Sequence, residues 1–135
     1  MGDRLDSARF YLNSGGFSDC LCYNGCMILI LDRKATEEEI EQMVKDLNGY
    51  IKVVVDIEKR ILAGGGKRYV DGEQLLRQIG SKQENLWGGG IDMETKEIDY
   101  NSMINIRPRQ NNASRDIMSL KVRGMFDKVI KKTFL

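Results

Sequence analysis

The chain has 135 residues, with 21 Lys and Arg against 20 Asp and Glu, three Cys, one Pro and no His. That length suits a single domain. The missing histidine excludes Ser-His-Asp and Cys-His catalysis, imidazole zinc sites and histidine pH switches. No apolar run approaches the roughly 20 residues that span a bilayer, so a cytoplasmic protein with no membrane partner is expected. Residues 1–26 show neither helical nor strand periodicity, hold Cys20, Cys22 and Cys26, and lack the layout of a secretory signal. They read as a disordered or non-native extension, leaving residues 27–135 as one domain. With no other Cys or His to complete a ligand set, neither a metal site nor a cofactor is expected.

From Met27 the pattern is regular. Ile28 to Leu31 reads as a first strand. Thr36 and Glu39 form a capping box, and Ile40, Met43, Val44 and Leu47 line one face of the helix that follows. Asn48-Gly49 stops that helix. Tyr50 to Ile57 is β-branched and predicts a strand, joined by Glu58-Lys59-Arg60 to a second strand that runs into Gly64-Gly65-Gly66. Asp71 is expected to cap a short helix that buries Leu75, Leu76 and Ile79. Leu86-Trp87 leads through Gly88-Gly89-Gly90 into a strand, and Glu97 to Ile106 reads as the strand returning from it. Pro108 ends that strand, and a last helix spans about Ser119 to Lys132. The order β-α-β-β-α-β-β-α predicts an α+β fold, a largely antiparallel sheet with helices packed on it, related to the split βαβ arrangement.

The net charge of +1 hides a division. Residues 1–100 carry 13 basic and 18 acidic groups; residues 101–135 carry eight basic and two acidic. The basic third suits an anionic partner, or it pairs internally with the acidic first helix. Within it, Asn105 to Arg115 is the densest polar stretch. Arg107, Arg109 and Arg115 offer forked donors for phosphate or carboxylate, while Asn105, Gln110, Asn112 and Ser114 offer amides and a hydroxyl to orient a ligand. Trp87 beside Gly88 adds a stacking wall. The two glycine triplets read as close backbone approaches, or as a groove without side chains. Asp56, Glu58, Asp92 and Asp99 read as solvated hairpin charges.

Three blocks carry a resemblance. Val55 to Lys59, Gly80 to Gln83 with Leu86-Trp87-Gly88, and Ser102 to Pro108 followed by Gln110, Asn112, Ser114 and Arg115 resemble the hallmark blocks of a family of short bacterial proteins of unknown function. The resemblance spans Met27 to Leu135 and implies no activity. It also implies that Tyr69 replaces a common His, and that Gln78 and Ile79 replace acidic residues, which tilts the reading from catalysis toward binding. The expected function is binding of a phosphate-bearing anion, a nucleotide or nucleic acid, through the loop 105–115. Two alternatives stand beside it. One is a histidine-independent enzyme on a phosphorylated substrate, with Asp56 or Glu58 as base. The other is a protein–protein interaction or regulatory module, or a homodimer paired through the glycine-rich strands.

Overall fold

In the computed structural model the described residues are 9–11, 17–23, 26–45 and 47–135. The strands are β1 (Arg9–Tyr11), β2 (Phe17–Tyr23), β3 (Cys26–Leu31), β4 (Tyr50–Asp56), β5 (Ile61–Gly65), β6 (Leu86–Asp92) and β7 (Ile98–Asp99). The helices are α1 (Glu37–Val44), α2 (Tyr69–Gln78) and α3 (Leu120–Phe134). The strands form one sheet in the order β1-β2-β3-β5-β4-β6-β7, each neighbouring pair antiparallel. From β3 onward the order of elements is the expected β-α-β-β-α-β-β-α, and the fold is α+β. Within the segment 1–26, Arg9–Tyr11 and Phe17–Tyr23 are strands that extend the sheet. The remainder of that segment, and the cysteine side chains, lie outside what is described.

Two split βαβ units interlock in this sheet. The chain leaves β3, crosses through α1 and enters β4, with β5 lying between those two strands. It then leaves β5, crosses through α2 and enters β6, with β4 between. The two crossovers start from antiparallel strands, so connections of the usual hand put their helices on opposite faces. The packing agrees. Met43 of α1 and Phe126, Val129 and Ile130 of α3 join Leu29, Val53, Val55 and Trp87 on one face. Leu75 and Leu76 of α2 join Ile28, Ile30, Val54 and Leu86 on the other. Fully buried side chains such as Phe126 and Leu76 each contribute about 2 to 3 kcal/mol.

Local chemistry sets the element ends. Thr36 accepts from the Glu39 N–H while Glu39 accepts from the Thr36 N–H, so the capping box forms as expected. Asn48 and Gly49 both take left-handed φ and end the segment. Ser119 caps α3 by accepting from Val122 N–H.

Three expectations change. Asp71 does not cap α2: Arg68 holds the cap position and grips the Asp71 carboxylate from it, because a two-pronged charged pair outcompetes a single cap bond. The strand expected to run to Ile106 is ordered as a strand only at Ile98–Asp99. Ser102 then accepts from Ile104 N–H and winds Met103–Asn105 into a 3₁₀ turn. The glycine triplets are not on neighbouring strands, since β4 separates β5 from β6.

Nor is there an open groove. A Cβ on Gly64 would meet Met43 at 2.9 Å, one on Gly88 would meet Ser102 at 2.6 Å, and one on Gly89 would collide with the Asp99 carbonyl. The Tyr50 ring occupies the space above Gly90. These glycines let other parts of the chain approach the sheet. Among the described residues no helix is long and apolar enough to cross a membrane.

Candidate functional site

The polar loop from Asn101 to Met118 closes over the outer edge of β6. Two buried asparagines hold it there. Asn105 Oδ1 accepts from Gly88 N–H at 2.8 Å, and its Nδ2 donates to the carbonyls of Gly88, Tyr100 and Arg115, each at 2.9 Å. One side-chain amide thus takes the place of a strand partner where β7 has ended. Asn112 Nδ2 donates to the carbonyls of Asn105, Ser114 and Asp116, and its Oδ1 accepts from Met118 N–H at 2.8 Å. Glycine-strand dimerisation loses its template in this arrangement: β5 is interior, and the outer edge of β6 is taken by β7 and by Asn105.

Arg107, expected to hold ligand charge, is largely committed within the protein. Its Nε donates to Ile104 O at 3.0 Å, Nη1 contacts Gln110 Oε1 at 3.4 Å, and Nη2 bonds Leu86 O. Its guanidinium lies 4.6 Å from the Trp87 ring centroid, a cation–π contact. Burial lowers its pKa, though an arginine stays charged. Trp87 is only 4% exposed and presents no open ring for stacking. Gln110 donates to Glu84 O at 3.0 Å, and Ser114 Oγ accepts from Asp116 N–H. Of the nine residues expected at the site, Asn105, Asn112, Trp87 and Gly88 are buried framework. Arg109, Gln110 and Arg115 are exposed, and Arg107 and Ser114 are in between.

Asp56 also departs from expectation. It is fully buried: Oδ1 accepts from the N–H groups of Glu58 and Lys59, and Oδ2 accepts from the Ser81 hydroxyl at 2.6 Å. Its acceptor capacity ties the β4–β5 turn to the end of α2, so it is no solvated charge and no free base.

A cluster that the sequence reading missed lies at the other end of β4. Tyr50 O–H donates to Asp99 Oδ2 at 2.6 Å, and the Tyr69 hydroxyl stands 3.5 Å from that of Tyr50. Burial, then the bond to Asp99, raises the Tyr50 pKa. Burial raises that of Tyr69 too, against the bond with Tyr50 and the positive charge of nearby Arg115. Lys52 sits 4.7 Å over the Tyr69 ring and donates to Lys67 O at 2.7 Å. The available signal was the period-two alternation of Tyr50, Lys52, Val54 and Asp56, which places all four on the α2 face.

The basic residues of the last third divide between faces. Arg115 is near enough to Tyr69 for its charge to act on that phenol, whereas Lys128 and Lys132 stand on α3 beside the β4–β5 turn. Arg123 turns inward, donating to Ile117 O and stacking 4.7 Å from the Tyr100 ring centroid. The expected pairing of this basic third with the acidic first helix is not seen among the described residues. Among the described residues, no basic side chain of residues 101–135 pairs with a carboxylate.

No curated protein and no solved structure matches the chain. A family model does match over residues 29–133, covering both split βαβ units and the loop that caps β6, and the chain belongs to the family described as Protein of unknown function (DUF5674).

Proposed function

We propose that the protein binds a phosphate-bearing small anion, of which a nucleotide is the type, at the surface where the end of the polar loop meets Tyr69. The observation that supports this is Lys52 over the Tyr69 ring, with Arg115 near enough to act on the same phenol through its charge, exposed, and unpaired with any carboxylate among the described residues. Two cations and a hydroxyl held by rigid backbone suit a phosphate group. Asn105 and Asn112 act in this reading as the frame that fixes Arg115. Arg109 and Ser114 are the further contacts on the same loop. A nucleic acid is the less favoured partner, because the basic residues are shared between two faces and form no continuous track. The enzyme alternative loses Asp56 as its base, since that carboxylate is buried and fully bonded.

The test is a thermal-shift titration with ATP and with a single-stranded oligonucleotide, beside Arg115→Ala. ATP is expected to raise the melting temperature, by the equivalent of about 2.7 kcal/mol at a hundredfold excess over Kd. The variant should keep its fold and lose the response. Stabilisation by oligonucleotide alone, falling steeply with salt, would favour nucleic acid instead. No response to either overturns the reading.

A further inference from the structure

A second feature lies on the opposite face, away from Tyr69. Between the β4–β5 turn and α3 there is a cleft of about 300 Å³, bordered by Ile57, Met125 and Val129 and by Arg60, Lys128 and Lys132. Its volume is that of a small-ligand pocket. Its lining has one apolar part and one cationic part, and no carboxylate among the described residues contributes to it. The acidic side chains nearest in sequence are engaged elsewhere: Glu58 accepts from Asn85 Nδ2 at 3.4 Å, and Asp127 accepts from the Tyr100 hydroxyl at 2.7 Å. Three like charges gather over apolar surface, and no ion pair among the described residues offsets their repulsion.

The backbone adds an independent observation. Four residues, Ile57 to Arg60, connect the paired Asp56 and Ile61, and Arg60 closes the turn with φ at 60°. That left-handed position favours glycine, which would carry no Cβ penalty. An arginine stands there instead. Lys132 Nζ donates to its carbonyl at 2.8 Å, which pins one cation and the turn together and leaves two ammonium N–H groups unspent. Lys96 takes the same conformation at the β6–β7 turn, but of the two only Arg60 borders the cleft.

We infer that this cleft binds an amphipathic phosphate monoester, its apolar body on Ile57, Met125 and Val129 and its phosphate between Arg60, Lys128 and Lys132. Three cations match a phosphate dianion better than a carboxylate. The apolar floor sets this site apart from the Tyr69 surface, which offers charge and hydroxyl groups, so either site can fail without the other.

The experiment is a calorimetric titration of the full chain with naphthyl phosphate, alongside naphthol, naphthoate and inorganic phosphate. Naphthyl phosphate is expected to bind best, with each of the other three weaker by roughly tenfold or more. Lys128→Gln and Arg60→Gly should each weaken naphthyl phosphate by about tenfold, and Lys96→Gln, on the turn at the far end of β6, should not. Arg60→Gly should also melt no lower than the parent, because glycine suits the turn, so lost binding there cannot be charged to lost folding. Equal binding of naphthol, of naphthoate or of inorganic phosphate would overturn the assignment. So would the absence of binding, or full binding by both cleft variants.

Discussion

Asn105 has no exposed surface, and its one amide makes four polar contacts, two to Gly88 of β6 and one each to the carbonyls of Tyr100 and Arg115. Removing it strands the Gly88 N–H and carbonyl together with two further carbonyls. Asn105→Ala should therefore cost about 3 kcal/mol or more, well above an ordinary single hydrogen bond. Urea unfolding measures this directly; a loss below about 1 kcal/mol would mean that water replaces the amide and that the loop does not depend on it. The same residue shows where sequence reading meets a limit. An asparagine that grips a ligand and one that grips its own backbone present the same donors and acceptors, and only burial separates them. Asn105 and Asn112 read as ligand groups for that reason. Arg107 followed: the Leu86 carbonyl and the Trp87 face that occupy it are some 20 residues distant, beyond any local pattern.

Helices were the more legible elements, because caps and apolar spacing are local. The Thr36–Glu39 box and the Asn48-Gly49 stop formed where the residue types required them, whereas the cap expected of Asp71 fell to Arg68. The return from β6 was less legible. Period-two alternation continues past Asp99, but the Ser102 hydroxyl captures Ile104 N–H and bends the chain off the sheet. The three blocks of the family resemblance fall on the β4–β5 turn, the α2–β6 connection and the capping loop, so they gather around the Leu86 end of β6 more than they mark any reaction. One helical position is out of keeping with its element. Gly124 is exposed inside α3, and a Cβ built there would meet nothing within 4 Å. Gly124→Ala should stabilise the protein by about 0.5 to 1 kcal/mol through the helix backbone alone. A lower melting temperature would overturn this and show that the helix does not hold Gly124 in open space.

At the scale of the molecule, the two interlocked crossovers give the sheet two covered faces, and tyrosines report on both. Tyr50 and Tyr69 lie on the α2 face, while Tyr100 packs edge-on against Phe126 on the α3 face and donates to Asp127. All three have pKa values raised above the ordinary value of 10.0, with burial the leading cause in each. For Tyr100, burial and then the Asp127 bond push it up to about 12, with Arg123 opposing. Unfolded tyrosines give up their protons near 10.0, while the folded ones still hold theirs. Stability that these groups contribute is thus complete below that pH and is lost as the pH rises toward the folded values. The melting temperature should fall between about pH 10 and about pH 12, and with Tyr11 and Tyr23 replaced by Phe the tyrosinate absorbance of the other three should appear together with unfolding rather than before it. Tyr100→Phe should melt lower at neutral pH, having lost the Asp127 bond, and should show a shallower alkaline decline. A decline of unchanged slope would assign the alkaline limit to Tyr50 and Tyr69, and so to the α2 face where Lys52 lies over the Tyr69 ring. In that background, tyrosinate absorbance rising near 10.0 in a chain that is still folded would show that neither face shields its phenols.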